Sequence, residues 1–380
     1  MPRAEMTGRE RILTAIRHEE PDRVPISPRV SVWVTSVYGD ATLERQMEVF
    51  PEMDFMYIIG EPTANYVYGA YEQYDIPDVE ADITRRDEGD CYILERTFRT
   101  PAGDISDVTR VPPAGREYGV SPNPVKHEHL VKSIDDLPAL EYILPSIPDV
   151  VTTHKQYEEM LGDRGVVMVC IRSALDHQAG DARGMENLMM DYHTDRELFD
   201  ATLDLFHRRS IAKAKACLEG GVEFIFGSWY YNSLSSGWSP AIFEEVFVPQ
   251  IREHVDLAHS YGALYDYYDD GVLMDSMELI ASAGVDVLET CTPPPVGDFD
   301  LAEAKRTIGD EVTLKGYVDL LYVLKHGTPE LVERTVREAM EIAKPGGGFI
   351  IGSSDSFREG TPRENVETYW RACLEYGRYE

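Results

Sequence analysis

A tyrosine- and aspartate-rich run at residues 265–271 contains the side chains most suited to acid chemistry. Asp266, Asp269 and Asp270 lie within five residues of one another and are interleaved with tyrosines. Carboxylates this close repel one another unless they are solvated, protonated or bound to a cation. The run is therefore either an acidic solvated loop or a pocket in which one carboxyl group keeps a proton and serves as an acid. The aromatic neighbours favour the pocket.

The elements around this run place it at a strand end. An apolar segment at 262–266 predicts a strand, and residues 272–283 are predicted to form a helix. In parallel α/β proteins, ligands bind at the carboxyl ends of strands. The next predicted strand, 285–289, ends in a further acid, and neighbouring barrel strands would bring the two ends within about 10 Å. We predict one cleft with at least one raised carboxyl pKa, formed by Asp266, Asp269, Asp270 and Glu289.

Polar and aromatic side chains also follow other predicted strands. His177 follows a strand at 166–171 and is predicted to assist proton transfer. Substrate contacts are predicted inside the strand at 26–34, after other strands and in the tyrosine-rich run: Arg29, Arg172, Trp229, Tyr230, Tyr268, Lys315 and Ser354. Structural alternatives remain open, since Arg29 could pair with an internal carboxylate and His177 could form a surface pair with an aspartate. The aromatic residues could simply cover the barrel mouth.

Composition excludes nucleic acid as a partner. The 380 residues carry 36 Lys+Arg against 68 Asp+Glu, a net charge of −32. Such a surface repels the phosphate backbone of DNA and RNA. The length is sufficient for one large α/β domain.

Cysteine spacing and hydropathy indicate a reducing compartment. The five cysteines are an odd number and form no CxxC pair, so neither a disulfide framework nor a zinc ribbon is predicted. No apolar run approaches the roughly 18 residues that span a membrane, and no signal peptide is recognisable. We expect a cytoplasmic protein without membrane contact.

The order of predicted elements indicates a barrel. An N-terminal helix within residues 1–20 starts at a capping box, Thr7–Glu10. Strands are predicted at 26–34 and 54–59, and a region at 78–130 with period-two alternation is predicted as an antiparallel insertion. Six further strands alternate with helices from residue 166 onward, including one that starts at Ser239–Pro240 and another with a capping box at Thr361–Glu364.

Eight strands with intervening helices predict a single α/β domain over residues 1–380, a (β/α)8 TIM barrel with the insertion between strands two and three. A doubly wound sheet is the alternative. No GxGxxG motif follows an early strand, which disfavours a dinucleotide-binding fold.

Several segments resemble the uroporphyrinogen decarboxylase (URO-D) superfamily. They occur in the family's order across nearly the whole chain: Glu10–Pro25, Gly284–Val287, Lys315–Asp319, Gly327–Pro329 and Thr361–Asn365. The resemblance implies a (β/α)8 barrel. It also implies one of two reactions, the decarboxylation of uroporphyrinogen or the transfer of a methyl group between a small molecule and a corrinoid protein.

The resemblance disfavours decarboxylation. The decarboxylases carry an early segment, Pro-x-Trp-x-Met-Arg-Gln-Ala-Gly-Arg, whose arginines hold the substrate's carboxylates. The corresponding stretch here, Pro28–Trp33, has a single arginine, Arg29. A polycarboxylate would be poorly stabilised in such a site on a protein of charge −32.

The resemblance also makes zinc unexpected. The thiol-methylating members bind zinc through His-x-Cys after strand five and a cysteine after strand eight. Here those positions correspond to Tyr268–Asp270 and to the neighbourhood of Ser354, so the usual ligands are missing. A mixed metal site at Asp270, Glu289 and Cys291 is a weaker alternative.

The remaining branch suggests the other half-reaction. A methyl group would leave a small methoxylated or methylated donor and pass to a corrinoid (cobalamin) carried by a partner protein, in a demethylation assisted by the barrel's carboxyl groups. The alternatives are a decarboxylase and a non-catalytic barrel that binds a small molecule. A homodimer is compatible with all three functions.

Overall fold

The structure, a computed structural model, describes residues 5–113, 122–232 and 234–379. The predicted N-terminal helix within residues 1–20 and the predicted insertion at 78–130 lie only partly within these ranges. Residues 1–4 of the first and 114–121 of the second are outside the described residues. The chain divides into two compact units. The first comprises Met1–Gly60, Val150–Cys170 and Cys217–Glu380, and the second comprises Glu61–Asp149 and Ile171–Ala216.

The strands of the described ranges fall into two sheets. In chain order they are β1 (Phe55–Ile59), β2 (Glu80–Glu88), β3 (Cys91–Thr100), β4 (Gly103–Val111), β5 (Val125–Glu128), β6 (Gly165–Arg172), β7 (Phe224–Ser228), β8 (Leu264–Tyr268), β9 (Val287–Thr290), β10 (Thr313–Val318) and β11 (Phe349–Ser353).

Helices follow most strands of the parallel sheet. They are α1 (Gly8–Ile16), α2 (Ser31–Tyr38), α3 (Leu43–Val49), α4 (Leu137–Ile143), α5 (His154–Leu161), α6 (Met185–Thr194), α7 (Arg196–Glu219), α8 (Pro240–Ile242), α9 (Val248–Ser260), α10 (Met277–Ser282), α11 (Leu301–Thr307), α12 (Pro329–Ala343) and α13 (Arg363–Tyr376). Wider π-helical turns occupy Leu175–Gly184, Phe243–Phe247 and Leu320–Lys325. Short 3-10 turns occupy Ile134–Asp136, Gly162–Arg164, Tyr230–Asn232 and Leu234–Ser236.

A parallel sheet in the order β1-β6-β7-β8-β9-β10-β11 forms the barrel wall. A short segment before α2 takes the remaining position. The Ser27 N–H donates to the Ile351 carbonyl at 2.9 Å, and the Asp54 N–H donates to the Ile26 carbonyl at 3.0 Å. The segment at 25–27 therefore lies between β11 and the start of β1. The predicted (β/α)8 barrel is confirmed.

The predicted first strand at 26–34 is wrong beyond residue 27. Residues Ser31–Tyr38 form α2 instead. Val30, Trp33 and Val34 are buried together, which is the i, i+3, i+4 spacing of one helix face. The Trp33 indole N–H also donates to the Thr361 carbonyl at 2.9 Å. Burial of this face overrides the strand preference of the β-branched residues.

The predicted antiparallel insertion between strands two and three is confirmed. Strands β2, β3, β4 and β5 pair in that order in the second unit, and all three pairings are antiparallel. A group of buried ion pairs connects β3, β4 and β5. The Asp107 carboxylate contacts the Arg96 guanidinium group and lies 2.6 Å from the Lys126 ammonium group.

The helix starts predicted at Thr7–Glu10 and at Ser239–Pro240 are confirmed. The capping box predicted at Thr361–Glu364 and the helix start predicted at residue 272 are wrong. Thr7 and Glu10 form the capping box of α1, and the Ser239 side chain caps α8 ahead of Pro240. Thr361 is not a cap, because Pro362 is the N-cap of α13 and the Thr361 hydroxyl group donates to the Arg358 carbonyl. Residues 272–276 are not part of α10, since the Asp298 carboxylate binds the N–H groups of the loop at 2.7 and 3.3 Å.

Among the residues that the structure describes, no helix combines the length and the apolar character needed to cross a membrane.

Candidate functional site

Strands β8 and β9 bring the predicted acids together. They pair in parallel, with Asp266 opposite Val287 and Tyr268 opposite Glu289. Beyond the end of β8, the Asp269 N–H donates to the Glu289 carbonyl at 2.9 Å and the Thr290 N–H donates to the Asp269 carbonyl at 3.1 Å. Side chains alternate along a strand, so Asp266 and Tyr268 project to the same face. Tyr268 belongs to the apolar cluster that fills the barrel, so that face is the interior.

Glu289 is a buried carboxylate held between two cations. Its Oε1 atom lies 3.0 Å from Arg29 Nε, and its Oε2 atom lies 2.6 Å from Lys315 Nζ. Burial opposes its ionisation, but the positive charges of Arg29 and Lys315 outweigh burial and lower the Glu289 pKa to about 2. Glu289 is therefore charged near neutral pH and cannot donate a proton.

Asp266 differs from Glu289 although the two adjoin each other. Its side chain is fully buried, and neither carboxyl oxygen accepts a hydrogen bond from a described residue. Burial, followed by the negative charge of Glu289, raises the Asp266 pKa well above its ordinary value. Of the two carboxyl groups, Asp266 is the one that holds its proton to higher pH.

Asp270 has the properties expected of a general acid. Its Oδ2 atom accepts a hydrogen bond from the Tyr268 hydroxyl group at 2.9 Å, and its Oδ1 atom accepts one from Thr290 at 3.3 Å. Burial and the negative charge of Asp355 raise the Asp270 pKa to about 7, although Arg29 and the two hydroxyl groups favour the charged form. Its side chain is only half-buried, so it can reach a ligand.

Asp270 lines a cleft of about 420 Å³ in the first unit. The lining is mostly hydroxyl-bearing and apolar, and it comprises Tyr230, Tyr231, Ser235, Ser236, Asp270, Gly271, Thr292, Val296, Leu320, Leu321, Ser354, Asp355 and Arg358. Tyr230 and Val296 are 39% and 44% exposed. Of the four predicted acids, Asp270 is the one among these lining residues. Asp269 is fully buried and accepts a hydrogen bond from the Tyr267 hydroxyl group at 3.3 Å.

Arg29 connects the buried ion pairs to the cleft. Its guanidinium carbon lies 4.0 Å from the ring centre of Tyr268, and its Nη1 atom lies 3.5 Å from Asp355 Oδ1. The Asp355 carboxylate also accepts a hydrogen bond from Arg358 at 2.9 Å. Arg29 and Lys315, both predicted to contact substrate, thus have carboxylate partners within the barrel. For Arg29, this is the internal ion pair that the sequence left open as an alternative. Ser354 lines the cleft, but its hydroxyl oxygen accepts the Leu320 N–H at 3.2 Å.

Trp229 requires a correction. The sequence predicts a contact with substrate, whereas the structure buries the side chain completely. Its indole N–H donates to the Tyr265 hydroxyl group at 2.9 Å, and its ring stacks on Tyr267 at 5.7 Å between centres. The side chain packs among residues of the outward face of β8. The neighbouring Tyr230 lines the cleft in its place.

Arg172 and His177 belong to the second unit. Arg172 Nη1 lies 3.0 Å from Glu61 Oε2, and Glu61 also binds Lys213 at 3.2 Å. The His177 Nδ1 atom lies 3.0 Å from Asp181 Oδ2, and its ring centre lies 3.9 Å from that of Tyr68. These contacts form a polar cluster within the second unit.

Residues 114–376 match the family model of uroporphyrinogen decarboxylase (URO-D). The chain belongs to the URO-D family. It is 26% identical to the methylated-thiol–coenzyme M methyltransferase of Methanosarcina mazei over 197 residues, which is 52% of this chain and 50% of that protein. The chain thus matches about half the length of this curated relative.

The fold of a solved methyltransferase structure agrees with the barrel described here. A methyltransferase from Methanosarcina mazei aligns with a TM-score of 0.63 at 17% identity, covering 98% of this chain and 99% of that one. At this identity, the similarity establishes the fold alone.

Two side chains near the predicted metal positions of this URO-D chain are poor donors to zinc. In the described ranges, no group of three or more His, Cys, Asp or Glu residues has an arrangement suited to a metal ion. Cys291 is buried, and burial raises its thiol pKa, which disfavours the thiolate that metals bind. The Tyr268 hydroxyl group already donates to Asp270. Tyr268 and the Cys291 thiol are therefore poor ligands for zinc.

Two residues of the site were not among the predicted site residues. Asp355 raises the pKa of Asp270, and Thr290 donates a hydrogen bond to it. Both follow or end a strand, at the edge where parallel barrels bind ligands. That position was the only signal in the sequence, because a threonine or aspartate at a strand end has no distinctive spacing.

Proposed function

We propose that this URO-D protein is a methyltransferase that moves a methyl group from a small methyl ether to a corrinoid carried by a partner protein. Asp270 serves as the acid that protonates the leaving oxygen. The proposal takes the reaction class from the similarity to methyltransferases and the role of Asp270 from the cleft.

The single observation that carries the proposal is the environment of Asp270. It lines the cleft, and its pKa is about 7, so a substantial fraction of the group holds a proton at neutral pH. An acid is most effective when its pKa lies near the working pH. An ether requires such an acid, because an alkoxide or phenoxide is a poor leaving group without a proton.

The neighbours of Asp270 suit both of its charge states. While it is protonated, the cleft around it holds a neutral donor among hydroxyl and apolar side chains. After it gives up the proton, the Tyr268 and Thr290 hydroxyl groups stabilise the new carboxylate through the contacts at 2.9 and 3.3 Å. The positive charge of the Arg29 guanidinium group also favours the ionised form of Asp270.

The rim of the cleft is compatible with a corrinoid partner. When bound, the corrinoid supplies the cobalt nucleophile that accepts the methyl group. The half-exposed apolar side chains of Tyr230 and Val296 offer a surface against which a planar macrocycle can pack. The polar floor with Asp270 holds the leaving group.

Decarboxylation of a porphyrinogen is less well supported. Its carboxylates would need free cations, but Arg29 contacts Glu289 and Asp355, and Arg358 contacts Asp355. Among the described lining residues of the cleft, Arg358 is the cation. A site of this kind stabilises a neutral ligand better than a polycarboxylate.

A spectroscopic assay tests the proposal. The protein is incubated with cob(I)alamin and a panel of aliphatic and aromatic methyl ethers, and methylcobalamin is followed by absorbance. We expect methylation with at least one ether, and Asp270→Asn to lower its rate by roughly 10²–10⁴-fold while donor affinity is kept. The control Asp275→Asn removes an exposed carboxyl group of the following loop and should have no effect. Binding of an ether without transfer would identify the barrel as a receptor, and transfer by Asp270→Asn at the wild-type rate would remove the acid from the mechanism.

A further inference from the structure

Asp266 is a buried carboxyl group that the proposed reaction does not use. It lies on β8, facing the barrel interior, and it is not among the residues lining the cleft. Its side chain is fully buried, and neither oxygen accepts a hydrogen bond from a described donor. A buried polar group in this state is costly unless it is neutral and donates a hydrogen bond itself.

The cations around Asp266 are already matched by other carboxylates. Lys315 lies 2.6 Å from Glu289, and Arg29 lies 3.0 Å from Glu289 and 3.5 Å from Asp355. Each of these two cations thus has a carboxylate partner without Asp266. A further negative charge on Asp266 would lack a cation of its own in a buried site. Asp266 is therefore expected to hold a proton. The titratable or charged groups that interact with it are Tyr265, Glu289, Cys291, Lys315 and Arg29.

Glu289 is a suitable acceptor for a protonated Asp266. Glu289 is its ionised neighbour, and a carboxyl O–H that donates to a carboxylate forms a strong, charge-assisted hydrogen bond. That bond restricts the orientation of the Glu289 side chain. With its orientation fixed, one Glu289 oxygen contacts Arg29 and the other contacts Lys315.

The position of Arg29 in turn affects the cleft. Its guanidinium carbon lies 4.0 Å from the ring centre of Tyr268 and 4.9 Å from that of Phe226. The Tyr268 hydroxyl group donates to Asp270 at 2.9 Å. A shift of Glu289 would therefore displace the Arg29 guanidinium group from its position over the Tyr268 ring. Because Tyr268 is hydrogen-bonded to Asp270, the surroundings of the acid would change as well.

We infer that Asp266 is a positioning residue that keeps its proton and, through Glu289, holds Arg29 over Tyr268 and hence near Asp270. The inference deepens the proposed role of Asp270, on which it rests. It is nevertheless tested on the protein alone, without donor or corrinoid, so its failure is distinguishable from a failure of the proposed methyl transfer.

The first test detects the proton directly. Infrared spectra of protein with isotope-labelled aspartate are recorded at a pH above the titration of Asp270, where Asp270 itself is ionised. We expect a protonated-carboxyl band in the wild type that is lost in Asp266→Asn and kept in the control Asp275→Asn. Retention of the whole band in Asp266→Asn would overturn the inference, because Asp266 would then be ionised.

The second test measures the titration midpoint of Asp270 in the same spectra, with Asp270→Asn as the reference. Asp266→Asn keeps a neutral donor for Glu289, so the midpoint should stay in place. Asp266→Leu has no donor, so Arg29 loses its position, and the Asp270 midpoint should move to higher pH because Arg29 favours the charged form. An unchanged midpoint in folded Asp266→Leu, or an equal shift in Asp266→Asn, would overturn the positioning role. If Asp266→Leu does not fold, the band and midpoint of Asp266→Asn decide.

Discussion

The Tyr268 hydroxyl group donates a hydrogen bond to the Oδ2 atom of Asp270 at 2.9 Å. This contact joins the last residue of β8 to the acid that lines the cleft. Because the bond stabilises the charged form of Asp270, it keeps the pKa of Asp270 near neutrality in a site where burial and Asp355 raise it. Tyr268 therefore adjusts the proton affinity of the proposed acid.

The pH dependence of methyl transfer should follow Asp270. The protonated form is active, so the rate should be highest at low pH and fall as the pH rises through about 7. Tyr268→Phe keeps the ring beneath Arg29 but removes the hydrogen bond. Its falling limb should move to higher pH by roughly 0.5–1 unit, given about 0.5–1.5 kcal/mol for a hydrogen bond.

Asp355→Asn should move the same limb in the opposite direction. Removal of its negative charge lets Asp270 ionise more easily, so the rate should fall at a lower pH than in the wild type. Single-turnover rates across the neutral pH range provide the measurement for both variants. Shifts of both variants in one direction would contradict the assigned contributions of Tyr268 and Asp355.

Glu289→Gln should destabilise the protein strongly. The substitution leaves Arg29 and Lys315 without the carboxylate between them, and loss of one partner of a buried ion pair costs about 3–5 kcal/mol in the free energy of unfolding. Urea denaturation measures this quantity. Glu367→Gln in the exposed Arg363–Glu367 pair is the control and should cost less than about 0.5 kcal/mol.

The stabilisation from Glu289 should also depend on pH. Because its folded-state pKa is lowered to about 2 from 4.5, its contribution is fully present above the unfolded pKa and is lost as the pH falls from 4.5 toward 2. In Glu289→Gln this part of the acid dependence should disappear. A variant as stable as the wild type at neutral pH would show that the carboxylate is not needed to balance the two cations.

Removal of metal ions should not affect methyl transfer to free cob(I)alamin. At the positions of the family's zinc ligands, Tyr268 and Ser354 are poor zinc donors, so treatment with a chelator should leave the rate within about twofold. Metal analysis of untreated protein should find zinc well below one equivalent. Stoichiometric zinc that is lost in Asp270→Asn would contradict this prediction.

Much of the barrel could be predicted from the sequence because most of its strands are short runs of buried apolar residues between capped helices. Five of the predicted strands from residue 222 onward begin one or two residues away from the structure's β7 to β11. The failure at 26–34 has a physical cause. Residues 30–34 have strand-forming side chains, but Val30, Trp33 and Val34 have helical spacing and are buried together.

The site could be predicted only in part. The proximity of Asp266 and Glu289 follows from the adjacency of consecutive barrel strands, and the structure shows it. The difference between the pKa values of Asp266 and Glu289 does not follow from local sequence, because it depends on Arg29 and Lys315, which lie in distant segments. Likewise, the assignment of Asp270 as the acid depends on Asp355, which lies 85 residues further along the chain.

The most direct test of the acid role varies the leaving group of the donor. Aromatic methyl ethers with and without a para-nitro group are compared in single-turnover methylation of cob(I)alamin, for wild type and Asp270→Asn. If Asp270 protonates the leaving oxygen, Asp270→Asn should lose roughly 10²–10⁴-fold with the unsubstituted ether, but about tenfold or less with the nitro ether, whose phenoxide needs no proton to leave. An equal loss for both ethers, or none, would contradict the account.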